Sequence, residues 1–203
     1  MRVKHYKLLA SVAMLISLLV LPMSNVAKVI NSQPVTEVIR EDVKPVGSEI
    51  TELMMSTTKV RTRLDNVYDI DPNKIDWWAI HIATAAMRYD VPEKYLISIL
   101  AVESNFNQYP KRKNGLVGPA QINAKYWKNN GRYNIYKPDE NIYLGAKILR
   151  SYKDKCGNWE CAIKSYNVGL GAHLRGQSKQ QQRKYYALVS RQLSLIEKDK
   201  MRG

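Results

Sequence analysis

An apolar helical stripe that ends in a carboxylate restricts the folds open to this chain. In Leu96-Ile97-Ser98-Ile99-Leu100-Ala101-Val102-Glu103-Ser104-Asn105-Phe106, the residues Leu96, Ile99, Leu100 and Glu103 fall at i, i+3, i+4 and i+7. That is one face of a 3.6-residue period. Such a face belongs against a core, so the fold must supply Glu103 with a partner or a cavity. Asn105, Asn107 and Pro110 end the helix directly afterwards, and the negative end of a helix dipole disfavours a further negative charge. Burial and dipole together push the carboxyl toward its protonated form, which is what a general acid requires. A buried Glu bonded to a backbone group, or paired with Lys or Arg, fits the same position, and position alone leaves both readings open.

The neighbourhood in sequence shifts the balance toward chemistry. No Asp or Glu lies between Ser104 and Pro138, whereas Lys111, Arg112, Lys113, Lys125, Lys128, Arg132 and Lys137 do. Asp139, Glu140, Asp154 and Glu160 are the next carboxylates along the chain. Which of them comes near Glu103 depends on the fold.

Helical periodicity and Pro/Gly punctuation organise the rest. Asp71-Pro72 offers a cap residue followed by Pro at the first helical position. A helix over 72–89 is expected to bury Trp77, Ile80, Ala83, Thr84 and Met87. Asp90-Val91-Pro92 breaks it and starts the helix that carries Glu103. Residues 111–118 form a basic, Gly-containing loop. A short helix is expected over 119–128, another from Pro138 through Ile142, Ala146 and Leu149, and a further one from Trp159 to Asn167, ended by Gly169 and Gly171. The last helix, over 180–197, places Tyr185, Leu188, Val189, Gln192, Leu195 and Ile196 at helical spacing. No strand pattern or internal repeat emerges, so the expected class is all-α.

Residues 1–27 read as a targeting segment, with Arg2, Lys4 and Lys7 ahead of a charge-free run from Leu8 to Ala27. That run of 20 residues suits an uncleaved inner-membrane anchor over 8–27, while the polar Pro22, Ser24 and Asn25 favour a signal peptide. Either way the chain is expected to be exported, to the periplasm or cell envelope. Residues 28–72 read as a linker with a short helix over 49–64, and residues 73–203 as the folded domain. Residues 1–27 hold three basic and no acidic residues and residues 28–72 six basic and eight acidic, which leaves +13 of the formal +14 on residues 73–203. Such a surface attracts a polyanion: nucleic acid, anionic lipid or an acidic wall polymer. An exported chain without a nucleic-acid motif argues against the first.

Two cysteines, Cys156 and Cys161, stand with four residues between them in Cys-Gly-Asn-Trp-Glu-Cys. Close pairing in an exported chain suggests a local disulfide. A zinc site wants about four ligands, and the remaining candidates are only His5, His81 and His173. Redox pairs usually have two intervening residues rather than four. No metal or other cofactor is expected.

Four segments line up in order: Glu103-Ser104-Asn105-Phe106; Gly115-Leu116-Val117-Gly118-Pro119-Ala120-Gln121-Ile122-Asn123; Glu140-Asn141-Ile142-Tyr143-Leu144-Gly145-Ala146-Lys147-Ile148-Leu149; and Ala162-Ile163-Lys164-Ser165-Tyr166-Asn167-Val168-Gly169-Leu170-Gly171. Over about residues 73–190, their order and spacing resemble the SLT-type lytic transglycosylases, all-α domains with a lysozyme-like fold. The Cys-Gly-Asn-Trp segment is similar to that of small members accompanying conjugation, secretion and pilus machines. The resemblance implies that Glu103 is the single catalytic acid/base and that Ser104 helps hold the reacting sugar. It implies that Gln121 is the glutamine of the cleft's Gly-Leu-Met-Gln motif, and that Tyr166 and Asn167 form the cleft wall of an Ala-Tyr-Asn-Ala-Gly motif. Here Pro119-Ala120 replaces the usual Leu-Met, which puts the shape of that loop in question. The substrate implied is the glycan strand of peptidoglycan, cut without water to leave a 1,6-anhydro end, and the implied partner is an envelope-spanning apparatus. A water-using muramidase and a catalytically weak wall-binding assembly factor are the competing readings. Trp77, Trp78, Trp127 and Trp159 are expected in the core or as sugar-stacking platforms.

Overall fold

The computed structural model describes residues 46–112 and 114–201 of the 203-residue chain. The expected targeting segment at 1–27 and the linker as far as residue 45 lie outside the described residues. The short helix expected over 49–64 is present and longer, α1 (Val46–Val67), and from Gly47 onward it belongs to the folded unit rather than to a linker. Its Val60 and Leu64 are fully buried in the core. The stripe Leu53, Val60, Leu64 is interrupted by Ser56 and Thr57, which hides its attachment to the core. Ser56 donates to Glu93 at 2.7 Å, while Lys59 and Arg63 pair with the same carboxylate at 2.9 and 3.3 Å. Among the described residues, no helix is long and apolar enough to cross a membrane.

Asp71 caps α2 (Pro72–Tyr89), accepting from Asn73 N–H at 3.0 Å, with Pro72 at the first helical position. The buried face of α2 is not the one expected. Ile75, Trp78, Ala79, Ile82, Ala83 and Ala86 face inward, whereas Ile80 and Met87 are exposed. Trp78 and the run of small alanines let α2 lie close to its neighbour, and only Ala83 is common to both faces. α3 (Glu93–Ser104) follows, as expected, and ends in a left-handed Asn105 at φ +48°.

The short helix expected over 119–128 resolves into two elements. A minimal antiparallel hairpin pairs β1 (Leu116–Val117) with β2 (Ile122–Asn123), in register Leu116↔Asn123 and Val117↔Ile122. One helical turn, α4 (Ala124–Trp127), then begins at Asn123, whose side chain accepts from Lys125 N–H. In the hairpin turn, Gln121 N–H donates to Gly118 O at 3.0 Å, so Pro119 occupies the second turn position, where its fixed φ is favoured. The departure at Pro119 therefore costs the loop no hydrogen bond.

α5 (Pro138–Cys156) and α6 (Trp159–Val168) start at Pro138 and at the Asn158 cap. Gly169 ends α6, but Gly171 lies inside a further short helix, α7 (Leu170–Leu174). The Cys156–Cys161 disulfide forms as expected and ties the end of α5 to the first turn of α6 across a Cα–Cα distance of 5.7 Å. α8 (Lys179–Lys200) closes the domain against α3 and α6, while α5 packs on α2 and α6. Gln182, Tyr185, Val189 and Ile196 are its buried stripe; Leu188 and Leu195, expected inside, are exposed.

Asn141 is the polar residue around which the hairpin is built. It is fully buried on α5. Its Oδ1 accepts from Ala120 N–H at 2.8 Å, and its Nδ2 donates to Val117 O at 2.9 Å and Ile135 O at 2.8 Å. One amide thus satisfies three backbone groups in two loops. Gly118, at φ +68°, must be glycine: a Cβ there would lie 2.4 Å from Asn141 Cγ. Replacing Asn141 by Ala strands those three buried groups, each worth about 1 kcal/mol or more. Asn141→Ala should therefore lower unfolding stability by roughly 3 kcal/mol. Urea unfolding checks this, and a loss of a few tenths would show that water substitutes for the amide.

Candidate active site

A cavity of about 160 Å³ opens where α3, the hairpin, α4, α5 and α6 converge. Glu103, in the last turn of α3, reaches into it. The walls include Gln121 and Ile122 from the hairpin, Tyr126 and Trp127 from α4, Ile148 and Tyr152 from α5, and Tyr166 and Asn167 from α6. Of the four tryptophans, Trp127 is the one in this lining. Trp78 is in the core, Trp77 packs edge-on against it, and Trp159 stacks on Tyr95.

Burial raises the Glu103 carboxyl from its ordinary range to about 7. Tyr185, on α8, donates to Glu103 Oε1 at 2.6 Å, which favours the charged form and offsets part of that rise. Tyr185 and Tyr166 are themselves held well above the ordinary phenol value, first by burial and then by the negative charge of Glu103. Both phenols stay protonated at any working pH and act as fixed donors. Tyr166 donates to Ala120 O at 2.9 Å, locking α6 to the hairpin turn.

Gln121 stands at φ +47° and its Nε2 donates back to Gly118 O at 2.9 Å. This holds the side chain across its own turn at the cavity wall. Asn167 Oδ1 is buried without a partner among the described residues, an acceptor left open beside the cavity. Glu103, Gln121, Tyr166 and Asn167 are thus brought together. Ser104 is not among them: its hydroxyl donates to Leu100 O at 3.1 Å, along its own helix, and it is absent from the cavity lining.

The other carboxylates are engaged elsewhere. Glu140 accepts from Asn134 N–H at 2.6 Å and pairs with Lys137, and these contacts hold its carboxyl below the ordinary range, the Asn134 bond foremost. Asp154 pairs with Arg150 and Glu160 with Lys164. The charge of Asp139 acts on His81 and Tyr143, away from the cavity. Among the described residues, Glu103 is the one carboxylate in the lining. The functional residue that sequence reasoning missed is Tyr185. Its place on the buried stripe of α8 was legible, but no motif connects it to a residue 82 positions earlier.

Comparison with known proteins bears directly on this cavity. The family described as Transglycosylase SLT domain matches residues 80–189. A transglycosylase of Enterobacteria phage PRD1 is 30% identical over 95 residues, covering 47% of this chain and 36% of the phage protein. Membrane-bound lytic murein transglycosylase E of Buchnera aphidicola is 30% identical over 125 residues, 53% of this chain and 57% of its own length. Membrane-bound lytic murein transglycosylase F of Saccharophagus degradans is 26% identical over 107 residues, 49% of this chain and 21% of its own. The matches thus span from about a fifth to just over half of these relatives. No solved structure matches the chain. Because the family match runs over more than half of the sequence and encloses every wall of the Glu103 cavity, this chain belongs to the transglycosylase SLT domain family.

Proposed function

We propose that this protein is an exported peptidoglycan lytic transglycosylase. It cleaves the β-1,4 bond between N-acetylmuramic acid and N-acetylglucosamine without water and leaves a 1,6-anhydro-N-acetylmuramic acid end. The observation that carries this reading is a single carboxylate in the cavity among the described residues, raised to about 7 by burial. Most glycosidases need two carboxylates at a set separation, unless the substrate's own N-acetyl group takes the second role. Glu140, Asp154 and Glu160 are tied into ion pairs, and Asp139 is not in the cavity lining.

In this reaction the protonated Glu103 carboxyl gives its proton to the glycosidic oxygen as the bond to C1 breaks. The N-acetyl oxygen of the muramic acid stabilises C1. Glu103, now a carboxylate, takes the proton of the sugar's C6 hydroxyl, and the C6 oxygen closes on C1. The proton count returns to its start and no water is consumed. Tyr185 fixes the orientation of the carboxyl through Oε1. Asn167 Oδ1 offers an acceptor for an N–H or O–H of the bound sugar, and Trp127 and Tyr126 offer ring faces.

The natural setting proposed is local opening of the wall in the cell envelope, with residues 1–27 as the export signal or anchor. The phage relative and the two relatives named as membrane-bound support an envelope role. Accompaniment of a secretion, conjugation or pilus apparatus rests on the similarity of the Cys156 segment to small members of that kind.

Three outcomes test the reading. Glu103→Gln should keep the fold and glycan binding while reducing turnover at least about a hundredfold; mass spectrometry of the wild-type products should find the anhydro form. Fragments heavier by one water and reducible with borohydride would instead establish a muramidase. The second outcome concerns pH. Because the acid works protonated, kcat/KM should fall as pH rises through about 7. Tyr185→Phe removes a hydrogen bond that favours the carboxylate, so its alkaline limb should move to higher pH; an unmoved limb would assign that limb to another group. The third is stability. The folded pKa of Glu103 lies above the unfolded value, so between pH 4.5 and about 7 only the folded chain keeps the proton, and stability falls as pH rises through that window. Glu103→Gln does not titrate, so it should gain on the wild type from pH 5 to 8, by at most about 3 kcal/mol. Thermal unfolding at both pH values measures it, and a constant gap would mean that Glu103 ionises as if exposed.

A further inference from the structure

A second cavity, of about 250 Å³, lies beside α6, α7 and the start of α8, lined by Lys164, His173, Gly176, Lys179, Gln182 and Arg183. Lys164, Lys179 and Arg183 bring three cationic side chains to it. Lys164 is paired with Glu160, but Lys179 and Arg183 are exposed and have no acidic partner among the described residues. They stand at i and i+4 on one face of α8, where like charges destabilise a helix. The site is also built from beneath. Gln182, 4% exposed, donates through Nε2 to Gln177 O, and its Oε1 therefore accepts from His173 Nδ1 at 2.6 Å. This fixes the neutral ring as the Nδ1–H tautomer and leaves Nε2 without a partner among the described residues.

We infer that this basic cavity binds a carboxylate of the peptide stem carried by the glycan strand held in the Glu103 cleft. The inference rests on the function proposed above and names a recognition site for the same substrate. Position supports it. One turn of α8 separates Gln182, under the basic cavity, from Tyr185, which holds Glu103, a rise of about 5 Å. Lys164 and Tyr166 stand two positions apart on α6, on opposite sides of that one helix. A stem leaving the muramic acid next to Glu103 need cross only about one helix width to reach Lys179 and Arg183. The planar guanidinium of Arg183 matches a carboxylate fork, and the Lys179 ammonium adds a compact second charge.

The test measures binding with the full chain carrying Glu103→Gln, so that no ligand is cut. The ligands are glycan strands bearing intact peptide stems and the same strands after an amidase has removed the stems. The parent should bind stem-bearing strands about fivefold more tightly, a modest factor because both cations are exposed. Adding Lys179→Gln and Arg183→Gln should abolish that preference and leave affinity for bare strands unchanged. A charge-matched control, Lys198→Gln with Lys200→Gln at the far end of α8, should retain the preference. Preference kept by the double variant overturns the proposal, as does its loss in the far-end control, which would reveal only overall charge. If stripping phosphate polymers from the strands removes the preference while the stems remain, the anion is a phosphate and the carboxylate assignment fails. No binding of either strand by the parent overturns the cleft reading as well, whereas tight binding without preference overturns the basic cavity alone.

Discussion

A carboxylate that is to keep its proton near neutrality must be deprived of water without being given a cation, and much of this domain is arranged around that requirement. Glu103 comes at the end of α3, where the helix stops at a left-handed Asn105 and the chain turns away. Among the described residues the cavity is walled by apolar side chains, phenols and amides rather than by lysine or arginine. That composition is notable in a domain whose sequence is so basic, and it keeps the charge on the surface. The hydrogen bond from Tyr185 joins α3 to α8 across 82 residues, so the same contact that aims the carboxyl also docks the closing helix. Glu103 in turn raises the pKa of Tyr185 and Tyr166. The three groups separate in function: one titrates near neutrality, and two remain donors.

Much of this was legible in the chain. The stripe Leu96, Ile99, Leu100, Glu103 marked α3 and singled out the carboxylate at its end, because a charged residue on an apolar face has few explanations. Pro72 and Pro138 marked helix starts by a local steric rule, and both hold. Ile142, Ala146 and Leu149 are all fully buried. What was not legible has physical causes. α2 buries a face rich in alanine, and alanine carries too little hydrophobic contrast to orient a helix against exposed Ile80 and Met87. The helix expected over 49–64 is there as α1, but its docking into the domain was not legible, since polar Ser56 and Thr57 break its inward side and Ser56 bonds to Glu93 instead of packing in oil. Ser104 shares a motif with Glu103, yet one residue along a helix is a turn of about 100° away, and its hydroxyl finds the Leu100 carbonyl.

Long-range pairing is the larger gap. Nothing local in α8 announces that Tyr185 will meet Glu103, nor that Asn141 will bond to Val117, Ala120 and Ile135. A buried amide in an apolar helix is a signal of the same kind as a buried carboxylate, because both demand partners. Asn141 stands directly before Ile142 on the stripe, and its sequence position asks the question that only the hairpin answers.

The Pro119-Ala120 pair shows how a departure from a family pattern can be absorbed by its surroundings. Pro119 gives up an N–H, but the turn is closed by Gln121 N–H on Gly118 O, so the missing donor was not needed. Ala120 spends both backbone groups, one on Asn141 and one on Tyr166. Its methyl group lies against Gly145 of α5, so closely that a Cβ on Gly145 would come within 2.8 Å of it and 3.0 Å of the Tyr166 hydroxyl. A side chain longer than alanine at 120 would have to push α5 away or turn into the cleft. The small pair Ala120 and Gly145 instead draws the hairpin onto α5 and α6, and that close approach lets one phenol reach a loop carbonyl. The loop's shape is then set by α5 and α6 as much as by its own sequence, which is why a motif with two of its usual residues replaced still delivers Gln121 to the wall facing Glu103.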